Sequence, residues 1–557
     1  MLTRMRRPIG LDCAMVPIAL IRHWFLLLLL VVLTGCAGLP QAVQREHSLA
    51  LGEVAGTRLA AVAAASLGQE QGQQEEGAEP RSGLRLLPAG DQALEARIAL
   101  VRMAQKSVDA QYYQIADDVS GRQFLRELRE AGARGVRVRL LVDDLYAGGE
   151  DALLAGLAAH PGVQVRMFNP LPVRGGSAAG RTLLSLHHFE RVNRRMHNKL
   201  LLADNSFAIS GGRNIADAYF ERGSQPANFI DMDLLTAGPV VAHMSAVFDD
   251  YWNSEQAYPV QSLAAHDAQG EPARLAFDAR VREQGAPIEL PADDLDELGQ
   301  VPVGAQLRRG RIELAMAAVH VSADPPHKVA PTAAEGREDG PVMRANLALL
   351  QHAHSEVFVA SPYFVPGERG LQALRQATAA QVRVSLMTNS LATTDEPLAH
   401  FGYARYRQAL LDMGVALYEL MPQQAAREPR ESQERETGGS TASASLGRLH
   451  AKLAVVDGRW LSVGSMNMDR RSAHSNTEMA LIIDSPALAG QVLALLQTER
   501  LPFSYQVRNG GGEGARGLQW VWQAGDRETV LAREPALDWG RRLRLSMLSM
   551  VVDEELL

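Results

Sequence analysis

The sequence predicts an α/β protein made of two duplicated halves, each a mixed, largely parallel sheet flanked by helices. Three observations predict it. Strand-like and helix-like segments alternate along the chain, and the same order of segments returns in its second part. A detailed pattern also occurs twice, as RMHNKLLLADNSFAISGGRN from Arg195 and as RLHAKLAVVDGRWLSVGSMN from Arg448, with the two histidines, His197 and His450, 253 positions apart.

In chain order, Arg4, Arg6, Arg7 and Arg22 precede an apolar run from Trp24 to Leu33 that ends in LTGC, Leu33 to Cys36. Ten apolar residues are short for a bilayer span and suit a signal-peptide core, so residues 1–35 read as a signal. The ending resembles a bacterial lipoprotein signal, which implies lipidation of Cys36 and an exported, membrane-associated protein on the periplasmic side of a cell envelope. An uncleaved anchor, or a start at Met5 or Met15, is the alternative. Cys13 would leave with the signal, and the exported product then has no disulfide. Residues 36–83 read as a spacer, most clearly GQEQGQQEEGAEP from Gly68 to Pro80.

The first half, 84–258, opens with helical periodicity over Asp91 to Gln105 and a strand at VDAQYY, Val108 to Tyr113. An amphipathic helix over Gly121 to Ala131 stops at Gly132 and Gly135, and VRVRLLV, Val136 to Val142, reads as a buried strand. The second half, 341–500, repeats this order with EVFVASPYF from Glu356, a helix over Leu371 to Ala380 and VRVSLMT from Val382. So long a period marks a duplicated domain rather than a solenoid. Residues 259–340 bridge the halves. Gln423 to Ser445 is low in complexity and reads as a surface loop. The extension 501–557 carries Trp520, Trp522 and Trp539, read as packing residues.

Composition limits the function. A 557-residue chain with 46% hydrophobic and 22% charged residues is globular and multi-domain. A net charge of -8 is no footprint for long nucleic acid, although a basic cleft could hide within it. Of 56 basic residues only Lys106, Lys199, Lys328 and Lys452 are lysines, and two of these stand in the repeated pattern.

Each repeat reads as a β-hairpin turning at Asp204-Asn205 or Asp457-Gly458. In a strand, residues two apart share a face, which would project His197 with Lys199 and His450 with Lys452. An imidazole beside an ammonium suits an anionic phosphoryl centre. Asp204 and Asp457 lie about 23 Å along an extended strand from their own histidines, so they are expected to shape turns or salt bridges. Better orienting carboxylates are Glu478, eight residues before Pro486, and Asp231, eight before Pro239, with Asp233 nearly as good. The turns Gly211 to Asn214 and Gly464 to Asn467 could aim backbone N–H groups and the amides of Asn214 and Asn467 at the same phosphate. One such pair alone would be an ordinary surface strand; two copies at matched offsets mark a site. One histidine, no cysteine and an adjacent cation per motif make a poor metal-ligand set, and no cofactor or metal is expected.

These residues resemble the paired HKD motifs of the phospholipase D superfamily, over about Leu84 to Arg500. The resemblance implies two half-domains related by a pseudo-two-fold axis, one active site at their interface, and metal-free chemistry through a phosphohistidine. Carried over, His197 is the nucleophile and His450 the acid and later the base. Lys199, Lys452, Asn214 and Asn467 hold the phosphate oxygens. Gly212 departs from the family's usual Ser. SPYFVPG, from Ser361, and DMDLLTAGP, from Asp231, look like the cardiolipin synthase branch. The implied reaction transfers a phosphatidyl group from a donor phospholipid to phosphatidylglycerol. RVNRR, Arg191 to Arg195, could accept an anionic head group or be a solvated charge run. Hydrolysis to phosphatidate, an exported nuclease or phosphodiesterase, and a non-catalytic scaffold are the other readings. Because two halves form one site, a monomer is expected to suffice.

Overall fold

The computed structural model describes residues 39–40, 43–52, 54–68, 79–147, 150–174, 180, 185, 189–222, 228–264, 269–282, 289–330, 339–422, 447–510, 517–524 and 527–535. The signal segment 1–35, Cys36, the loop Gln423 to Ser445 and Trp539 lie outside the described residues.

The first half supplies β1 (Arg81–Leu87), β2 (Ser107–Tyr112), β3 (Arg137–Asp143), β4 (Val163–Phe168), β5 (Leu200–Ala203), β6 (Phe207–Gly211), β7 (Phe229–Ile230), β8 (Asp233–Ala237) and β9 (Ala257–Pro259). After β10 (Ala315–Ala323), the second half supplies β11 (Glu356–Ala360), β12 (Arg383–Asn389), β13 (Ala416–Leu420), β14 (Arg448–Leu449), β15 (Leu453–Val456), β16 (Trp460–Gly464) and β17 (Met479–Asp484). The tail adds β18 (Ser504–Asn509), β19 (Leu518–Ala524) and β20 (Arg527–Leu531).

All but β7 and β14 join one continuous sheet in the order β9-β4-β3-β2-β5-β6-β8-β1-β10-β17-β16-β15-β11-β12-β13-β18-β19-β20. From β4 to β13 this order reads equivalently outward from the antiparallel β1–β10 junction, as a pseudo-two-fold axis there requires. The sheet is mixed, but parallel pairing is confined to β2-β3-β4 and β11-β12-β13, where helices supply the crossovers. The motif hairpins and the central junction are antiparallel, so the expectation of a largely parallel sheet holds only for these outer thirds.

Local chemistry explains the elements. β2 and β15 are buried at every position, so their apolar runs do not alternate. Helix Val119–Ala133 starts on the Asp118 carboxylate, which accepts from Gly121 N. In the hairpins, Asp204 and Asn205 have φ 47° and 45°, and Asp457 and Gly458 have 54° and 61°, the left-handed pairs that a type I′ turn needs.

Other segments do more than the sequence reading expected. Helix Arg58–Leu67, within the spacer 36–83, buries Leu59, Val62 and Leu67 in the first half's core, and β1 begins at Arg81. The bridging stretch 259–340 supplies β10, the half-buried strand that joins the halves by pairing with β1 on one side and β17 on the other. The tail extends the sheet beyond β13, with Trp520 buried and its Nε1 donating to Glu419 Oε2 at 2.9 Å.

Candidate active site at the interface of the halves

β5 begins at Leu200 and β15 at Leu453, so His197 with Lys199 and His450 with Lys452 stand just ahead of their hairpins instead of within strands. All four are buried. What fixes them is main-chain pairing across the interface. His197 N donates to Thr477 O at 2.9 Å, and His450 N donates to Ile230 O at 2.7 Å. Thr477 and Ile230 immediately precede Glu478 and Asp231, so each pairing delivers the carboxylate of one half to the imidazole of the other. β7 and β14 form a short parallel pair for this purpose.

The side chains complete the exchange. His197 Nδ1 lies 3.0 Å from Glu478 Oε2 and 3.0 Å from Ser465 O. A carbonyl can only accept, so Nδ1 carries the proton and Nε2 keeps its lone pair. His450 Nδ1 lies 2.6 Å from Asp231 Oδ2 and 3.0 Å from Lys452 Nζ. The shorter contact and the acceptor-only carboxylate assign the Nδ1 proton to Asp231. Each lysine turns back onto its own histidine's carbonyl, Lys199 at 2.6 Å from His197 O and Lys452 onto His450 O.

Charge differs between the two pairs. Burial alone would raise the Asp231 carboxyl, but the His450 imidazole, its hydrogen bond, Lys452 and Arg213 hold it well below the usual carboxylate range. Burial pushes Glu478 up to about 7 against the pull of Lys199 and the Ser465 hydroxyl. Burial and the charge of Lys199 depress His197 strongly; burial and Lys452 depress His450, with Asp231 opposing. Lys452 is lowered by burial to about 8, and Lys199 falls well below its ordinary value for the same reason. A phosphodiester anion would counter these cationic groups and raise all four, which makes the cluster a ready anion site.

Asn214 Nδ2 donates to Tyr219 OH at 2.9 Å, while Asn214 Oδ1 and Asn467 Oδ1 are buried without hydrogen-bond partners. Turning the Asn214 amide over would let Oδ1 accept from the Tyr219 hydroxyl and free Nδ2 for an anion. The expected backbone donors are engaged: Gly212 N bonds Met232 O, Gly464 N bonds Lys452 O and Ser465 N bonds Met479 O. These turns therefore offer their Asn amides but not those N–H groups. Gly212 has a local cause, since a Cβ there would overlap Asp231 Oδ1. Ser465, its counterpart, donates its hydroxyl to Glu478 Oε2.

Asp204 and Asp457 stay with their turns. The Asp204 carboxylate accepts from Gln105 N, Lys106 N and Ser107 N, and Asp457 accepts from His354 N, Ser355 N and Glu356 N. Asp233 belongs to a buried ion pair, 2.8 Å from Arg97 Nη2, and is not at either histidine. RVNRR is not a free head-group patch. Arg195 is fully buried on Asp143, with Nε 2.7 Å from Oδ1, and Arg191 Nη1 donates to Asn169 Oδ1 at 2.8 Å.

Sequence reasoning missed several neighbours. Tyr113 meets the His197 ring edge-on at 5.0 Å, and Tyr219 and Phe229 flank His450 at 5.1 and 5.0 Å. Lys328, from the bridging segment, reaches Asp324 Oδ2 at 2.6 Å, and the same oxygen accepts from Glu478 N at 3.2 Å. Tyr113 lay in a segment read only as a strand, and the scarcity of lysine was the one hint at Lys328. Among the described residues, no three His, Cys, Asp or Glu side chains gather as a metal site, and no helix is long and apolar enough to cross a membrane.

A family described as cardiolipin synthase, PLD-like domain, matches residues 98–252 and 347–499, one match around each motif. The chain belongs to this family, within the phospholipase D superfamily. Cardiolipin synthase C of Escherichia coli (strain K12) is 35% identical over 489 residues, 85% of this chain and 96% of its own. Cardiolipin synthase A of Pseudomonas fluorescens is 25% identical over 418 residues, 75% of this chain and 68% of its own. Among solved structures, phosphatidylserine synthase from Haemophilus influenzae Rd KW20 matches 85% of this chain and 97% of its own, at 12% identity and a TM-score of 0.47. The family match spans both halves that build the crossed histidine–carboxylate pairs.

Proposed function

We propose that the protein is a phospholipase D-type phosphatidyltransferase that moves a phosphatidyl group from a donor phospholipid to the hydroxyl of phosphatidylglycerol, as a cardiolipin synthase does. The observation that carries this reading is the pair of crossed imidazole–carboxylate contacts, which leaves both Nε2 atoms available at one buried anion site. His197 Nε2, with its lone pair, attacks phosphorus. The N–P bond forms, the P–O bond to the donor's head group breaks, and the leaving oxygen takes a proton from His450 Nε2. His450 is the better acid because the ionised Asp231 stabilises its imidazolium. The acceptor hydroxyl then gives its proton to His450 Nε2 as its oxygen attacks phosphorus and the N–P bond breaks. Lys199, Lys452, Asn214 and Asn467 hold the non-bridging oxygens throughout. Lipidation at Cys36 would keep the enzyme on the membrane where both lipids reside.

Hydrolysis to phosphatidate uses the same groups with water as the acceptor, and is the second reading. The test is to incubate purified protein with mixed phosphatidylethanolamine and phosphatidylglycerol vesicles and follow the lipids by mass spectrometry, with His197→Ala as control. Cardiolipin supports transfer, and phosphatidate alone supports hydrolysis. No lipid turnover together with cleavage of added DNA would sink both and leave an exported nuclease.

A further inference from the structure

Transfer poses an electrostatic problem that hydrolysis does not. The acceptor is itself a phosphodiester, so a second negative charge must come within one glycerol unit of the phosphorus held by His197. Inside a dry site that repulsion is poorly screened. The lysines and amides of the two motifs are assigned to the first phosphate, so the second needs its own cation.

Arg471 is placed to be that cation. It follows Asn467 by four residues, in the short helix Arg470–His474 that opens on the Asp469 carboxylate. Its carbonyl accepts from Ser475 N and Asn476 N, both at 2.9 Å. Asn476 Oδ1 in turn accepts from Arg195 N at 3.3 Å, and Thr477 pairs with Arg195 and His197. The turn that carries Arg471 is thereby locked to the backbone of His197. A line of rings leads outward from the same histidine: Tyr113 lies 5.0 Å from it, and Tyr146, 44% exposed, lies 5.2 Å from Tyr113. The Arg471 charge acts on His197, Tyr113, Tyr146 and the exposed Glu396, groups that run from the reacting histidine to the rim. Arg471 is half-buried and its Nε is enclosed without a hydrogen-bond partner. The corresponding position of the first half, Ala218, has no charge, so the device occurs once per site. A guanidinium fits a phosphate by two parallel N–H donors, which a lysine cannot match.

We infer that Arg471 forms a second phosphate subsite, which holds the phosphate of an anionic lipid acceptor while its hydroxyl attacks the group on His197. The inference rests on the phosphatidyl transfer proposed above. It predicts that Arg471 sets the choice between lipid acceptor and water and is not needed for the first displacement.

The experiment compares wild type, Arg471→Gln and Arg471→Lys in phosphatidylethanolamine and phosphatidylglycerol vesicles, reading cardiolipin and phosphatidate, and repeats it with free glycerol as an uncharged acceptor. In Arg471→Gln, cardiolipin formation falls by about tenfold or more, the size of one lost charge-assisted hydrogen bond. Phosphatidate and phosphatidylglycerol made from free glycerol stay within about threefold of wild type, within the context dependence of a contact not made in that step. Arg471→Lys recovers part of the cardiolipin at high phosphatidylglycerol, as a raised KM requires. Equal loss with lipid and glycerol acceptors, or an unchanged cardiolipin-to-phosphatidate ratio, overturns the inference. Should Arg471→Gln fail to fold, the KM of Arg471→Lys for phosphatidylglycerol decides: an unchanged value overturns it. Wild type that makes no cardiolipin counts against the transfer reading itself, which keeps the two failures apart.

Discussion

The first and second halves present the same His-x-Lys sequence to the interface but brace it with different carboxylate chemistry. Behind His450 stands Asp231, kept ionised and packed against Gly212, whose missing side chain leaves the carboxylate its space. Behind His197 stands Glu478, one methylene longer, bonded by the Ser465 hydroxyl and pushed up to about 7 by burial. Further back, Arg213 donates to Asp231 O at 2.9 Å in the first half, whereas Lys328 and Asp324 from the bridging segment hold the Glu478 backbone in the second. A duplicated site need not remain symmetric: both imidazoles are depressed by burial and cations, but Asp231 opposes this at His450, and His197 is depressed the more strongly of the two. This is the division of labour that a nucleophile and an acid require.

The strongest way to break that comparison is to separate the two histidines by their need for a leaving group. With a natural phospholipid, His197→Ala and His450→Ala each lose about 10²–10⁴-fold in turnover. With a phosphatidyl ester of p-nitrophenol, whose phenolate leaves without a proton, His450→Ala releases one p-nitrophenol per enzyme in a burst and then stalls. His197→Ala shows no burst. Stopped-flow absorbance reads this directly, and a burst from His197→Ala with none from His450→Ala reverses the roles.

The carboxylates come next. Asp231→Asn costs about 100-fold in kcat and Glu478→Gln about tenfold, because only Asp231 holds a charge throughout the working pH range. Raising the pH through about 7 ionises Glu478, strengthens its hold on the His197 Nδ1 proton and makes Nε2 more nucleophilic, so kcat rises through that region. Glu478→Gln loses this limb. Stability moves the other way. The folded state binds the Glu478 proton more tightly than the unfolded chain, whose value is near 4.5, so this group's contribution to stability is fullest below that pH and is lost as pH rises to about 7. A series of melting curves from pH 5 to 8 flattens in Glu478→Gln if this is right.

A transplant sharpens the contrast. Gly212→Ser alone forces a side chain onto Asp231 and costs about 1–3 kcal/mol, as overpacking does. Gly212→Ser with Asp231→Glu copies the second half's arrangement into the first and recovers part of that loss. A double-mutant cycle on urea midpoints gives the coupling, and strict additivity would mean the two positions do not share space.

Much of this was legible along the chain because it is local. The hairpins follow from Asp-Asn and Asp-Gly turns between apolar runs, and Asp231 and Glu478 were found by equal offsets from Pro239 and Pro486. The crossing of each carboxylate to the opposite histidine was not legible, since an offset within one half carries no information about which half's imidazole it meets. β10 was hidden for a related reason: AMAAVHVSA lacks strong periodicity and becomes a strand only because β1 and β17 supply partners on both sides. Arg195 looked like surface charge until Asp143, at the end of β3, made it a buried pair. Even the motif lysines bond their own histidines' carbonyls, which no spacing rule foretells.

The smallest effect concerns the two motif aspartates, which perform the same task at different depths. Asp204 is fully buried and gathers the N–H groups of Gln105, Lys106 and Ser107 at 2.7 to 3.1 Å. Asp457 gathers His354, Ser355 and Glu356 at similar distances, but His354 and Ser355 are at the surface, where water can replace a lost carboxylate. Gln105 and Lys106 are also at the surface, but Ser107 is buried, so Asp204→Ala strands that one N–H beyond the reach of water and costs about 2 kcal/mol, whereas Asp457→Ala costs about 1 kcal/mol. Urea titration measures both. Neither residue touches the reacting groups, so kcat of either variant, measured well below its melting temperature, stays near wild type. A large loss of kcat in folded Asp204→Ala or Asp457→Ala would return these residues to the chemistry from which the turn geometry removes them.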